Sequence, residues 1–151
     1  MSTLKAGDKA PEFATADQDG KSVSLADYKG KKVVLYFYPK DDTPGCTAES
    51  CNLRDNYNAL QKQGYEVLGV SADNEKSHRK FADKYKLPFR LLADTQKEII
   101  NKYGVWGEKK FLGKKYMGIM RTTFIIDENG FIKEIIKDVE TKNHAEQVLG
   151  N

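Results

Sequence analysis

Two residues in this chain offer nucleophilic sulfur, Cys46 and Cys51, and they stand five positions apart. The thiolate is the reactive form of cysteine, so the chemistry depends on what would hold one of them ionised. Cys46 follows Val33-Val34-Leu35-Tyr36-Phe37-Tyr38, a run of β-branched and aromatic residues that reads as a buried central strand. The stretch between them, Pro39-Lys40-Asp41-Asp42-Thr43-Pro44-Gly45, lies where open α/β sheets bind their ligands, beyond the carboxyl end of a strand. Thr43 suits an N-cap and Pro44 the first helical position, so a helix is expected from there to Gly64. Cys46 then takes the third helical position and faces backbone N–H groups that have no partner inside the helix. Those groups and the helix dipole favour an anion, and thiols so placed ionise at roughly pH 3.5 to 7.5 rather than about 8.5. Acidity also lowers intrinsic nucleophilicity, so it cannot alone make a fast enzyme. Donors aimed at the transition state are needed as well, and Thr43 with the loop backbone could supply them.

The spacing to Cys51 is informative in itself. On an ideal helix, residues five apart have Cα atoms about 8.6 Å apart and point about 140° away from each other. A disulfide usually needs less than about 7 Å. The pair can bridge only if the first turns of the helix unwind, which predicts a redox-driven local opening. On geometry alone Cys51 is either the partner in that opening or a small buried helical residue.

The elements around this site can be read from their periods and caps. Further strands are expected at Glu66 to Ser71, Phe89 to Leu92, Thr122 to Ile126 and Phe131 to Ile136, the last two joined by the turn Asp127-Glu128-Asn129-Gly130. A second helix should run from about Asn74 to Lys86, stopped by Leu87-Pro88, and a shorter one from after Asp94 to Gly104. Asn143-His144-Ala145-Glu146 has the capping-box pattern of a terminal helix. Phe13 to Ala16 and Ser22 to Leu25 flank Asp17-Gln18-Asp19-Gly20 as a small N-terminal hairpin. This order predicts an α/β fold with a central mixed sheet covered by helices on both faces. Residues 104–120, with Trp106, Phe111 and Tyr116, carry no assignment and read as one long loop.

Composition narrows the classes. A length of 151 residues fits a single domain, and 39% hydrophobic with 31% charged residues leaves no stretch able to span a bilayer. The start, Met1-Ser2-Thr3-Leu4-Lys5, lacks the apolar core of a secretory signal, so a cytoplasmic location and no membrane partner are expected. The net charge of +3 comes from dispersed lysines, and Lys109-Lys110 with Lys114-Lys115 reads as a solvated face rather than a nucleic-acid site. His78 and His144 lack the paired spacing of zinc ligands, so no metal is expected and both are read as exposed helical residues.

Taken together, these residues carry a family resemblance. Pro39-x-x-x-Thr43-x-x-Cys46 resembles the active-site signature of peroxiredoxins, and Gly45-Cys46-Thr47-Ala48-Glu49-Ser50-Cys51 resembles their bacterioferritin-comigratory-protein, or peroxiredoxin Q, branch. The likeness extends to Phe37-Tyr38-Pro39, to Tyr103 through Lys109, and to Arg121 through Asp127. It implies a thioredoxin-like fold and a peroxidase that needs no cofactor. It further implies Cys46 as peroxidatic nucleophile, Thr43 donating a hydrogen bond to the peroxide, Pro39 shielding the pocket, and Arg121 activating thiolate and peroxide. Cys51 would then be the resolving cysteine, with thioredoxin or glutaredoxin as reductant. Glu49 matches a residue common in the motif and either orients Arg121 or is an exposed helical glutamate. The chain lacks the cysteine-bearing C-terminal extension of other branches, so a monomer is expected, with a weak dimer through the aromatics near Trp106 as the alternative.

Three rival readings can be weighed on sequence. An outside thiol could resolve Cys46 while Cys51 stays passive. A disulfide oxidoreductase would use a Cys-x-x-Cys pair, and these cysteines are too far apart for it. A redox sensor would use the same disulfide to alter a partner surface.

Overall fold

The computed structural model describes residues 4–150, so Met1-Ser2-Thr3, part of the segment expected to carry no leader, lie outside the described residues. The organising strand is β3 (Lys32–Phe37), preceded by a hairpin of β1 (Ala14–Ala16) and β2 (Ser22–Ser24) and a short 3-10 turn at Leu25–Tyr28. Its side chains alternate across the sheet as the pleat requires. Val33, Leu35 and Phe37 enter one core, while Val34 and Tyr36 enter the other together with Tyr38. Both faces of this strand are therefore dry, which explains why its sequence reads as a continuous apolar run.

Around it the sheet order is β5-β4-β3-β8-β9. β4 (Tyr65–Ser71) runs parallel to β3 and to β5 (Arg90–Ala93), whereas β8 (Thr122–Ile126) and β9 (Ile132–Ile136) add antiparallel strands on the other side. The expected mixed sheet is thus present, and helices cover both faces. α4 (Glu98–Lys102) packs Ile99 and Ile100 into the first core, while α1 (Pro44–Asp55), α2 (Tyr57–Lys62), α3 (Glu75–Tyr85) and α5 (His144–Leu149) send Leu53, Leu60, Phe81 and Val148 into the second.

Three expectations need correction. The helix read from Pro44 to Gly64 is two helices, broken at Asn56 (φ −111°, ψ 14°). There the Asn56 side-chain Nδ2 donates to the Asn52 carbonyl at 2.9 Å, a local bond that competes with the helical ladder. Residues 104–120 are not a loop but a hairpin, β6 (Trp106–Phe111) paired antiparallel with β7 (Lys114–Ile119). Its turn places Leu112 at φ 50° and Gly113 at φ 80°, the double positive φ that a two-residue hairpin turn demands. The capping box at α5 does not form, because Asn143 sits at φ −134°, ψ 27° with no side-chain cap bond. The free Ala145 N–H donates instead to Oδ1 of Asn52 on α1, at 2.7 Å. No helix among the described residues is long and apolar enough to cross a membrane.

Candidate active site

The loop after β3 delivers the expected residues to the start of α1. Pro39 opens it, half-buried. Thr43 has the extended backbone of an N-cap and Pro44 follows at the first helical position, so Cys46 occupies the third. The Thr43 hydroxyl, however, does not cap. It donates to the Lys40 carbonyl at 2.8 Å, closing the loop on itself. Cys46 is a free thiol only 1% exposed, packed on the side of the sheet that holds Tyr36, Leu53 and Ala145.

Arg121 arrives from the far side of the chain, just before β8. Met120 N–H donates to the Val105 carbonyl at 2.6 Å, which ties the base of the β6–β7 hairpin to this point and fixes where the arginine leaves the backbone. Its guanidinium donates twice, from Nη2 to the Cys46 sulfur at 3.5 Å and from Nη1 to Glu49 Oε1 at 2.7 Å. Burial disfavours the guanidinium charge, but the Cys46 sulfur and the Glu49 carboxylate outweigh it and hold Arg121 above its ordinary pKa. Gly45 makes the approach feasible, since a Cβ there would lie 3.0 Å from Arg121 Nη2.

Glu49 is not the exposed helical glutamate of the alternative reading; it is fully buried one turn below Cys46. Burial, opposed by Arg121, pushes its carboxyl up to about 7. Its second oxygen, Oε2, has no hydrogen-bond partner among the described residues and faces His144 Nε2 at 3.6 Å. Beside it on α1, the Ser50 hydroxyl pairs with the buried Tyr36 hydroxyl at 2.9 Å. Cys51 stands on the same unbroken helix as Cys46, half-buried, and burial raises its thiol pKa. One helix therefore keeps the two sulfurs on different faces.

Both histidines contradict the exposed reading, for each is fully buried. His78 bridges Asp41 Oδ2 at 2.8 Å and the Leu92 carbonyl at 2.9 Å, which pins the loop carrying Thr43 to α3 and β5. Asp41 also accepts from Tyr38 Oη at 2.6 Å and Ser77 Oγ at 2.8 Å, and its own N–H donates to Asp73 at 2.9 Å. Asp41, Asp73 and His78 are the one cluster among the described residues with metal-like spacing, but these internal bonds already occupy its ligand atoms. The sequence did hold a signal for these burials. His78 precedes Phe81 and Ala82 at helical spacing, and His144 precedes Val148, so each lies on the apolar stripe of its helix.

A cavity of about 460 Å³ adjoins Arg121 and is lined by Tyr103, Val105, Met120 and Phe124, with Lys109 and Lys137 at its polar edge. Burial and the nearby Arg121 lower the pKa of Lys109, while the Cys46 sulfur opposes them.

A mixed five-stranded sheet whose central strand leads into a helix-start cysteine, met by an arginine that enters just before the neighbouring strand β8, defines a thiol-reactive protein of the thioredoxin fold. The chain belongs to the AhpC/TSA family, which it matches over residues 6–135, and within it to the peroxiredoxins of the Bcp type. It is 49% identical over 149 residues to peroxiredoxin Bcp of Escherichia coli K12, covering 99% of this chain and 96% of that protein. It is 44% identical to peroxiredoxin Bcp of Bacillus subtilis, covering 97% and 94%. Among solved structures, a cysteine-to-serine mutant of PrxQ from Xylella fastidiosa superposes with a TM-score of 0.92 at 32% identity, over 99% and 96% of the two chains. The bacterioferritin comigratory protein of Xanthomonas campestris, studied for alkyl peroxide reduction, gives 0.86 at 33% identity over 91% and 88%.

Proposed function

We propose that this chain is a thiol peroxidase in which Cys46 reduces peroxides, Cys51 resolves the product, and a thioredoxin-type dithiol restores the enzyme. The carrying observation is the Cys46 sulfur at the third position of α1 with Arg121 Nη2 at 3.5 Å. In the first step the thiolate attacks the distal peroxide oxygen, the O–O bond breaks, and the departing alkoxide or hydroxide takes a proton to leave as alcohol or water. Cys46 is oxidised to the sulfenic acid. Arg121 stabilises both the thiolate and the charge that develops on the departing oxygen, because its donors are already in place and need no reorganisation. Pro39 shields the sulfur from bulk water, and Thr43 turns its hydroxyl from the Lys40 carbonyl to the peroxide when substrate enters. Alkyl hydroperoxides are accepted beside hydrogen peroxide, a choice supported by the Tyr103, Val105, Met120 and Phe124 side chains of the cavity next to Arg121 and by the activity studied in the Xanthomonas relative.

In the second step the Cys51 thiol displaces water from the sulfenic acid and forms the disulfide, which requires α1 to unwind. A dithiol of thioredoxin or glutaredoxin type then reduces it by exchange. Both sulfurs belong to one helix, so a single chain of one domain completes the cycle as a monomer. Reduced thiols and a dithiol partner suit a reducing compartment, and the cytoplasm is the location proposed.

The test is a steady-state peroxidase assay with thioredoxin on the wild type, Cys46→Ser and Cys51→Ser. Cys46→Ser is expected to abolish turnover, and Cys51→Ser to abolish thioredoxin-linked turnover while leaving one round of peroxide reduction. Full activity in Cys46→Ser would refute the nucleophile. Unchanged thioredoxin-linked turnover in Cys51→Ser, with no intramolecular disulfide by mass, would assign resolution to an outside thiol.

A further inference from the structure

Glu49, which holds Arg121, leads into a buried polar chain with no role in the cycle above. Glu49 Oε1 is held by Arg121, but Oε2 is left facing His144 Nε2 at 3.6 Å, and both side chains are fully buried. The imidazole has a fixed orientation. Gln147 donates from Nε2 to the Asp138 carbonyl at 2.9 Å, and its Oε1 accepts from the Glu140 N–H at 2.9 Å, so the amide is locked. His144 Nδ1, 2.8 Å from that same Oε1, must therefore be the donor. In the neutral ring Nε2 is then a single lone pair, 2.7 Å from the Thr123 hydroxyl, which donates to it while Nε2 is bare and can accept from it once Nε2 is protonated.

A buried carboxylate oxygen with no hydrogen bond of its own thus faces an imidazole nitrogen that carries no hydrogen. That arrangement is unfavourable until a proton resides on one of the two groups. We propose that His144 is a positioning residue of the reacting centre, which shares one exchangeable proton with Glu49 Oε2 and so fixes the carboxylate that aims Arg121 at the Cys46 sulfur. This rests on the reading of Cys46 as the reacting thiol.

Among titratable groups, Arg121, which precedes β8, acts on both members of the pair, the buried Tyr36 hydroxyl from β3 feels the Glu49 charge, and Cys46 lies on α1 with Glu49 and acts on Arg121. Burial raises Glu49 and lowers His144, and a proton held between them would couple their titrations. With the proton present, Glu49 offsets less of the Arg121 charge and the guanidinium acts more fully on the sulfur. When the proton leaves, the carboxylate takes a share of that charge. The rate of peroxide attack therefore carries an ionisation beyond that of the thiol.

A double-mutant cycle separates this role from simple packing. Single-turnover oxidation of Cys46 by hydrogen peroxide is followed against pH in the wild type, His144→Leu, Glu49→Gln and the double variant, each checked for a cooperative melt. His144→Leu is expected to slow the reaction about tenfold in the wild-type background and less than about twofold in Glu49→Gln, since a residue acting through another loses its effect when that other is gone. The extra ionisation should shift in His144→Leu and disappear in Glu49→Gln. Equal losses in both backgrounds, or no loss in either, would overturn the proposal. Should His144→Leu fail to fold, ¹⁵N titration of the imidazole in the wild type and Glu49→Gln decides: a displaced His144 midpoint supports the shared proton, and an identical midpoint overturns it. A wild-type Cys46 inert toward peroxide would instead sink the peroxidase reading, and the imidazole titration would still decide the pairing.

Discussion

Replacing Asn52 with alanine should accelerate disulfide formation while lowering stability. Asn52 follows Cys51 on α1 and reaches across to α5, where its Nδ2 donates to the Lys142 carbonyl at 2.9 Å and its Oδ1 accepts the Ala145 N–H at 2.7 Å. The second bond stands in for the missing cap of α5 and resembles an N-cap, worth about 1 kcal/mol. The first is exposed and adds about 0.5 kcal/mol. Unwinding α1 far enough to join Cys46 and Cys51 breaks both, so roughly 1.5 kcal/mol of the opening cost comes from this one side chain. If the bonds are lost before the transition state for resolution, Asn52→Ala speeds the step from sulfenic acid to disulfide by roughly tenfold, because about 1.4 kcal/mol is a factor of ten. The assay is rapid-quench mass spectrometry after a peroxide pulse, following loss of one water as the disulfide closes, with thermal melts of the reduced protein alongside. A lower melting temperature with an unchanged resolution rate would show that α1 opens without letting go of α5 and would refute the reasoning.

Two further outcomes follow from the site. Gly45→Ala places a Cβ at 3.0 Å from Arg121 Nη2, so the guanidinium must retreat by a few tenths of an ångström. The helix itself prefers alanine by roughly 0.5–1 kcal/mol, so the variant should melt no lower than wild type yet react more slowly with peroxide; a faster reaction would contradict the placement of Arg121. Glu49 supplies a pH signature. Its folded pKa of about 7 exceeds the unfolded value of 4.5, so between these the native state binds more protons and stability falls as pH rises. The loss is up to about 3 kcal/mol, complete above pH 7, and Glu49→Gln should flatten that slope in denaturation curves taken across the window. A slope that survives the substitution would place the titration elsewhere.

Sequence patterns reveal those parts of this fold whose local chemistry and tertiary surroundings agree. β3 was readable because both of its faces are buried, and α3 because Asn74 does cap it, accepting the Ser77 N–H at 2.8 Å. The Cys46 position was readable for the same reason, since Pro44 starts the helix from its own preferences. The hairpin β6–β7 hid because it packs little of itself against a core: Phe111, Tyr116 and Met117 are exposed, so no alternation marks a buried face. Its turn hid too, because Leu112 takes a positive φ where asparagine or glycine would have announced it. At α5 the local capping box was outcompeted by a cap from another helix, which no window around residue 143 contains. His144 and Glu49 show the same limit, since a buried polar side chain is interpretable only once its distant partner is known. Family resemblance supplied Arg121, which lies 75 residues from the sulfur it contacts.

Methionine chemistry complicates any experiment that counts oxygen atoms on this protein. Met117 and Met120 expose 54% and 42% of their surface, and Met120 borders the cavity next to Arg121. Thioethers accept one oxygen from peroxide to become sulfoxides, giving the same mass gain as a sulfenic acid. An intact-mass reading of one added oxygen is therefore ambiguous, and peptide-level localisation or a dimedone-type label is required to credit Cys46. Prolonged oxidant treatment would also set a polar sulfoxide among the apolar side chains of that cavity, a change unconnected with the sulfur at position 46.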